Sequence, residues 1–498
     1  MVPVPRPEPL FRDRDNDPAV AQHAADASKR IDPQDHRHGG KRWTHHVPGR
    51  EFAWRTLVRP AILVAVQDET TSRAAPPPGA ERRPVLFVNA HYYPDVAATA
   101  HHLTDLAEHL AAVGYAVEIC TAQATYGPLQ GTAPAEEVRN GVRVLRVRAT
   151  TFGRARMLGR LIDYASFHWQ VLRLLIFSSR YRYVVFLTTP PLLHAVGWLA
   201  LRIRGVRYAV WSMDLHPAAE FTTGVIDRGS LLGRALARVH VIAHRAADFV
   251  IAVGPYMRDR LLADGLDPAR VVWRPVWVNT DAVRPLTAAE NRLRAELGLD
   301  GRFVVAYIGN AGLVHDFTAV LDAIRSLANH PRMSFLFVGG GPRRPEIDAF
   351  LRANGIGNVV VRDYYPVEMV PLVYALADVH LVTLAPPFSG IAVPTKCYVA
   401  MATGRPVLFV GGARCEPADA IRDSGGGACI DTERPDAARL IASTLTAWSE
   451  SPAEVARLGQ LARTAAIARF DRRESCASIE AVLRERWPEV APRAVPRV

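Results

Sequence analysis

Between residues 84 and 410 the chain alternates short β-branched runs with stretches of helix length, and it does so twice. The first series lies at 84–89, 116–120, 142–147, 208–212 and 248–253, the second at 303–307, 334–338, 359–362, 379–384 and 407–410. These runs are apolar throughout instead of alternating, so both faces must be covered, as in the middle of a parallel sheet. The helix-length segments between them supply the crossovers that parallel strands need. The pattern predicts an α/β chain with two doubly wound parallel sheets facing each other across a cleft.

A chain of 498 residues is too long for a single core and divides readily. Residues 1–80, rich in Pro, Asp, Arg and His and closing in Ala74-Ala-Pro-Pro-Pro-Gly79, read as a disordered extension. An apolar patch at 57–66 is too short to span a bilayer. Residues 81–275 form the first predicted domain and 276–465 the second, joined by the turn-rich stretch 273–285. Residues 466–498 give a last helix returning toward the first domain, then a basic tail.

The net charge of +11 points to an anionic partner: a nucleotide, an acidic lipid surface or nucleic acid. No recognisable nucleic-acid module accompanies it, which argues against the last. The five cysteines, Cys120, Cys397, Cys415, Cys429 and Cys476, are odd in number and contain no CxxC pair. Neither a disulfide framework nor a zinc site is supported. The first residues lack the apolar core of a signal peptide, and a reducing cytoplasmic compartment fits.

The stretch 388–410 concentrates the chemistry. Pro394 is placed to open a helix, Thr395 to cap it, Lys396 to sit in its first turn and Gly404 to end it. A helix start offers N–H groups and partial positive charge to a phosphate, and Lys396 adds a full charge. Only Lys29, Lys41 and Lys396 are lysines among 60 basic residues. A compact ammonium thus stands here where the chain otherwise uses guanidinium groups. The plain alternative is a surface lysine left by an arginine-biased composition.

Two glycine loops end adjacent predicted strands: Gly309, Asn310 and Gly312 with His315 nearby, and Gly339, Gly340 and Gly341. Such loops let backbone approach a ligand closely, or serve chain reversal alone. Asp214 and His216 follow the strand at 208–212, where doubly wound folds hold their chemistry; Asp214 could equally cap the next helix. His91 and Thr99 lie in the loop after the first strand.

In 153–183, Arg154, Arg156, Arg160, Arg173, Arg180 and Arg182 are interleaved with Phe167, Trp169, Leu172, Leu174, Leu175, Ile176 and Phe177. Such a segment is either a membrane-interface helix or a core helix with an arginine face. The apolar run 190–201 is short and reads as a buried or interfacial helix.

Taken together, Asn89-Ala-His-Tyr-Tyr-Pro-Asp-Val-Ala-Ala-Thr-Ala100, Asp214-Leu-His-Pro217, Asn279-Thr-Asp281 with Pro285, Ile308-Gly-Asn-Ala-Gly312, Phe337-Val-Gly-Gly-Gly-Pro342 and Pro394-Thr-Lys396 with Met401-Ala-Thr-Gly-Arg-Pro406 stand in one order. In that order they resemble the GT-B glycosyltransferases of family 4, retaining enzymes that use nucleotide-sugar donors. The nearest flavour is the branch that builds bacterial exopolysaccharide or O-antigen chains.

The resemblance implies an acceptor side on the first domain, with His91 and Thr99 lining the cleft. It implies a donor side on the second, built from Gly309, Asn310, Gly312, His315, Gly339, Gly340, Gly341, Pro394, Thr395 and Lys396. Asp214, His216 and Lys396 become the candidate catalytic residues. The implied partners are a nucleoside diphosphate sugar and a glycan or polyprenyl-linked acceptor, at the inner face of the plasma membrane, with no metal or other cofactor.

Two departures stand out. Aligned on Ala400-Met401, Ile391 and Val399 occupy the places of a Glu-x7-Glu pair common in the family. Asn310 and His315 stand where many members have Arg and Lys. They leave open a non-catalytic scaffold of a polysaccharide-assembly complex, with a GT-B sugar epimerase as the other rival.

Overall fold

The computed structural model describes residues 83–124, 131–153, 157–287 and 290–492. The extension 1–80, the patch 57–66, Arg154 and Arg156 lie outside the described residues, as does the tail from 493 onward.

The first half begins with β1 (Val85–Val88), buried along its whole length, and α1 (Ala98–Ala112). Next come β2 (Val117–Ala122), β3 (Glu136–Arg139), β4 (Val142–Val147), α2 (Met157–Phe177) and β5 (Tyr183–Phe186). Then follow α3 (His194–Arg204), β6 (Arg207–Ser212), α4 (Ala218–Thr222), α5 (Leu231–Ala246), β7 (Val250–Ala252), α6 (Pro255–Ala263) and β8 (Val271–Trp273). The sheet order is β3-β4-β2-β1-β5-β6-β7-β8. Only the edge strand β3 is antiparallel to its neighbour. Its exposed, charged sequence suits an edge.

The second half restarts with β9 (Phe303–Ile308), α7 (Thr318–Ser326), β10 (Met333–Val338), α8 (Arg344–Ala353), β11 (Val359–Arg362) and β12 (Val379–Leu384). It continues through α9 (Lys396–Ala402), β13 (Val407–Gly411), α10 (Glu416–Ser424), β14 (Gly427–Asp431), α11 (Ala437–Glu450) and α12 (Pro452–Phe470). All six strands are parallel, in the order β11-β10-β9-β12-β13-β14. In both sheets the strand order reverses beside the first strand, between β1 and β5 and between β9 and β12. Loops at the carboxyl ends diverge there and leave room for a ligand.

The last helix, α13 (Arg472–Arg486), packs on the first half: Tyr115 donates to Glu480 at 3.1 Å and Arg472 pairs with Asp105 at 3.2 Å. Trp487 then buries itself against Tyr183 and Phe249 and donates to Asp248 at 2.7 Å.

Three local expectations are corrected. The helix-length crossover expected between the runs 359–362 and 379–384 reduces to a 3-10 turn (Val367–Met369) and one α-turn (Val370–Tyr374), with the N–H-less Pro371 at its start. Helix α9 begins at Lys396, not Pro394, and Thr395 makes no side-chain cap. In α2, Phe167 is not an interfacial aromatic: with Val171 and Leu175 it is buried in the core, whereas Leu158, Leu161, Ile162 and Trp169 are exposed. Arg180 likewise belongs to the fold, donating to the buried Glu118.

Candidate active site

The carboxyl ends of β1, β5 and β6 are laced together by side chains. Buried Asn89 donates to the His91 carbonyl at 2.6 Å and to Thr99 at 3.5 Å. The His91 ring bonds Asp95 at 2.7 Å. Ala90 N–H donates to the Thr189 carbonyl at 2.8 Å, and Asp214 N–H to the Thr188 hydroxyl at 3.2 Å. His91 and Thr99 therefore share one corner with Asp214.

Asp214 does not cap α4, whose N-cap is Pro217. Burial raises its carboxyl above the ordinary range, with Glu220 adding to that and His216 opposing it. His216 Nδ1 meets Glu220 at 2.7 Å. Burial alone would lower this imidazole, but the bond and charge of Glu220 outweigh it, and the net shift is upward. Glu220 was missed in the sequence, although its spacing of four residues from His216 on a helix start was a readable signal.

In the second half the centre is Lys396. Its ammonium donates to the Tyr307 hydroxyl, to the Asn310 carbonyl at 3.1 Å and to His315 Nε2 at 3.2 Å. It also lies over the Tyr307 ring, 4.1 Å from the centroid. Desolvation pulls it down from the usual lysine range to about 7.

His315 is not a phosphate ligand as placed. It is buried, Nδ1 faces the Thr383 carbonyl at 2.7 Å, and its remaining lone pair meets Lys396. Burial first, and Lys396 second, keep it neutral. Its one free ring nitrogen is thus turned to Lys396 and not to the open side of the loop. Arg343, whose charge also reaches His315, opens the next helix with its Nε buried and unpaired. Arg344 is taken up by Asp348 and the Gly339 carbonyl. Arg343 is itself paired, with Glu346 at 3.0 Å, but its charge is felt at His315, beside Lys396.

The two glycine loops interlock. Ala311 N–H donates to the Gly340 carbonyl at 2.7 Å and Gly309 N–H to Val338 at 2.9 Å. Gly339 has φ +116°, and a Cβ there would stand 2.4 Å from the Gly309 carbonyl oxygen. Gly341, at φ +120°, meets Asn310 Oδ1 at the same 2.4 Å. Gly312 is less crowded, with Asn310 Nδ2 at 3.2 Å. Gly309, at φ +121°, turns its open side to Lys396, 3.6 Å away. Pro394 is buried and its carbonyl receives Cys397 N–H at 3.1 Å, so it shapes the turn. With seven residues, α9 has too short a dipole to carry much, and the charge at this turn is chiefly that of Lys396.

The segment before Lys396 also joins the halves. Leu215 N–H donates to the Ile391 carbonyl at 2.9 Å, and Asp214 bridges Ala392. Arg260 donates to the Ser389 carbonyl at 2.7 Å, and Tyr256 to Asp419 at 2.9 Å. Ile391 itself is buried. The Asp214–His216 turn thus abuts the strand of chain that delivers Lys396.

Comparison with known proteins fits this arrangement. The family described as "Glycosyl transferase 4-like domain" matches residues 97–277, and "Glycosyl transferases group 1" matches 302–447. The chain belongs to the GT-B glycosyltransferases of the family 4 type. Among curated relatives of this GT-B chain, "Probable glycosyltransferase WbjE" of Pseudomonas aeruginosa is 26% identical over 255 residues. That match spans 51% of this chain and 64% of the relative, just under two thirds of its length. "Putative colanic acid biosynthesis glycosyl transferase WcaI" of Escherichia coli K12 is 21% identical, over 71% of this chain and 89% of its own. The crystal structure of Anabaena HepE in complex with UDP and glucose superposes with a TM-score of 0.62 at 16% identity. It covers 81% of this chain and 100% of HepE, a likeness of fold.

Proposed function

We propose that this protein transfers a hexose, with retention, from a nucleoside diphosphate sugar to a sugar or lipid-linked sugar in cell-surface polysaccharide synthesis. The observation that carries the donor half is the convergence of Lys396, Arg343 and two interlocked glycine loops at the β9/β12 switch point. The likeness to WcaI, a putative colanic acid biosynthesis glycosyl transferase, and to HepE, which holds UDP and glucose, supports the pathway and the donor class.

In this reading the C1–phosphate bond breaks as the acceptor oxygen bonds C1 from the same face. The departing diphosphate gains negative charge. Lys396, Arg343 and loop N–H groups, already oriented by Tyr307 and His315, stabilise it without a metal ion. Asp214 and His216, held by Thr188 and Glu220, orient the acceptor hydroxyl and take its proton. The acceptor lies on residues 81–275 and the donor on 276–465.

The lipid part rests on α2 and α3. Leu158, Leu161, Ile162, Trp169 and Arg173 form one exposed face, and α3 adds Leu199, Arg202 and Ile203. Apolar and basic groups on one surface suit an anionic bilayer at the inner leaflet. Among the described residues no helix is long and apolar enough to cross a membrane.

Assay of sugar transfer from UDP-, GDP- and ADP-hexoses to extracted polyprenyl-linked acceptors tests the reading. Wild type should form product with the donor's anomeric configuration, and Asp214→Asn should lose at least 100-fold in rate while still binding donor. Turnover unchanged in Asp214→Asn, or an inverted product, would contradict it.

A further inference from the structure

Behind the Asp214–His216 turn, away from the proposed donor site, three imidazoles converge from two helices. His240 and His244 stand four residues apart on α5 and so share one face, and His194 opens α3. Ring centroids are 4.1 Å apart for His194 and His244, and 4.2 Å for His240 and His244. All three residues are at most 5% exposed. Both nitrogens of His194 and Nδ1 of His240 are buried without any hydrogen-bond partner.

A buried polar atom left unpaired costs about 1–3 kcal/mol, and three in one place call for an occupant. Nitrogens from the three rings lie within 4.8 Å of one another. In a tetrahedral zinc site with bonds near 2.0–2.1 Å the nitrogens stand about 3.4 Å apart, so small side-chain shifts complete the geometry. Outer contacts are of the kind that orient metal-bound histidines. His244 Nδ1 is 3.0 Å from the His240 carbonyl, turning Nε2 inward, where Ser212 Oγ lies at 3.4 Å. His240 Nε2 faces Asp264 at 3.8 Å, which leaves Nδ1 for the cluster.

We propose that His194, His240 and His244 form a structural site for a divalent transition metal of the zinc class. With water or Ser212 in the fourth position, the ion ties α3 and α5 to the end of β6, directly beneath the Asp214–His216 turn. It touches no substrate. Its part is to position that turn, and it is separate from the transfer chemistry. The pair His240-x3-His244 was visible in the sequence, but its third partner is 46 residues away and only the fold brings it in.

The test uses the full chain, stripped with a chelator and desalted. Zinc is titrated against a chromogenic chelator, cobalt(II) is followed by visible absorption, and Tm is recorded with and without metal. Wild type should bind one equivalent, rise in Tm and give the intense absorption of tetrahedral cobalt. His194→Gln and His240→Gln, checked for folding by circular dichroism, should lose all three responses, and His330→Gln should keep them. No uptake by folded wild type would overturn the site, as would uptake undiminished in His194→Gln, which would place the metal on other histidines. Should the variants not fold, the cobalt spectrum of wild type decides: weak octahedral absorption or none also overturns it.

Discussion

Lys396 is a cation that the empty protein holds near its titration point. Its pKa is lowered from 10.5 to about 7 by desolvation, so near neutrality a share of the molecules carry a neutral amine. A diphosphate favours the charged form, and binding takes up a proton. Affinity for a nucleoside diphosphate should therefore be full below pH 7 and fall as pH rises through 7 toward the higher pKa of the complex. Calorimetry in buffers of different ionisation enthalpy measures that proton, and Lys396→Ala should abolish it. Lys396→Arg should not restore binding, because a planar fork does not fit the pocket formed by Tyr307, Asn310 and His315. Gly339→Ala, which sets a Cβ 2.4 Å from the Gly309 oxygen at a positive φ, should cost about 1–3 kcal/mol of stability. Both are seen directly, in the binding isotherm and in the denaturation midpoint. At this scale the glycines and Lys396 were legible, because their residue types are rare where they stand. Tyr307 was not: a buried tyrosine near the end of a strand looks like any other core residue. Ile391 acts through its carbonyl, which no side chain announces.

At the scale of elements, α2 shows why pattern alone left two readings open. Its arginines and aromatics mix in sequence, yet they sort by face in three dimensions, with Phe167, Val171 and Leu175 inside and Leu158, Leu161 and Trp169 outside. Phe167→Ala should cost about 3–5 kcal/mol. A Leu161→Ser, Trp169→Ser, Arg173→Ser variant should leave Tm within a few degrees and lose binding to vesicles containing anionic lipid. Sedimentation with such vesicles reads this out, and unchanged binding would remove the lipid surface from the proposed function. The strands that the sequence did not yield have physical reasons. β5 is four residues following closely on an arginine-rich stretch. β3, β8 and β14 are partly exposed edge strands that lack a long continuous apolar run. The central strands were legible because burial on both faces leaves no polar positions to confuse the period.

For the whole molecule, buried histidines set an acid limit, of which His102 and His380 are two. Desolvation lowers His102 and His380 to about 3, with His101 and Arg405 adding to it. Because the unfolded chain protonates these rings near pH 6.5 and the folded one does not, stability falls as pH drops below 6.5, by about 1.5 kcal/mol per ring at pH 5. Glu416, raised to about 6 chiefly by burial, works the other way and returns about 1 kcal/mol over the same range. The histidines win, and thermal unfolding should show a lower Tm at pH 5 than at pH 7. A rising Tm would mean that the carboxyl dominates.

The two-sheet architecture and the order of its loops were legible because each apolar run demanded cover on both faces. The joining of the halves was not, since it runs through main-chain carbonyls: Ile391 accepts from the Leu215 N–H and Ser389 from the Arg260 side chain.

The most direct test of the donor site is calorimetric titration of the full chain with UDP, GDP and ADP, in wild type and Lys396→Ala. One nucleoside diphosphate should bind with a single site, and the substitution should weaken it by about tenfold to a hundredfold, as expected for a lost charged hydrogen bond of about 1.5–3 kcal/mol. A folded wild type that binds none of the three, or a variant that binds as tightly as wild type, would contradict a donor site at Lys396 and favour a non-catalytic member of an assembly complex.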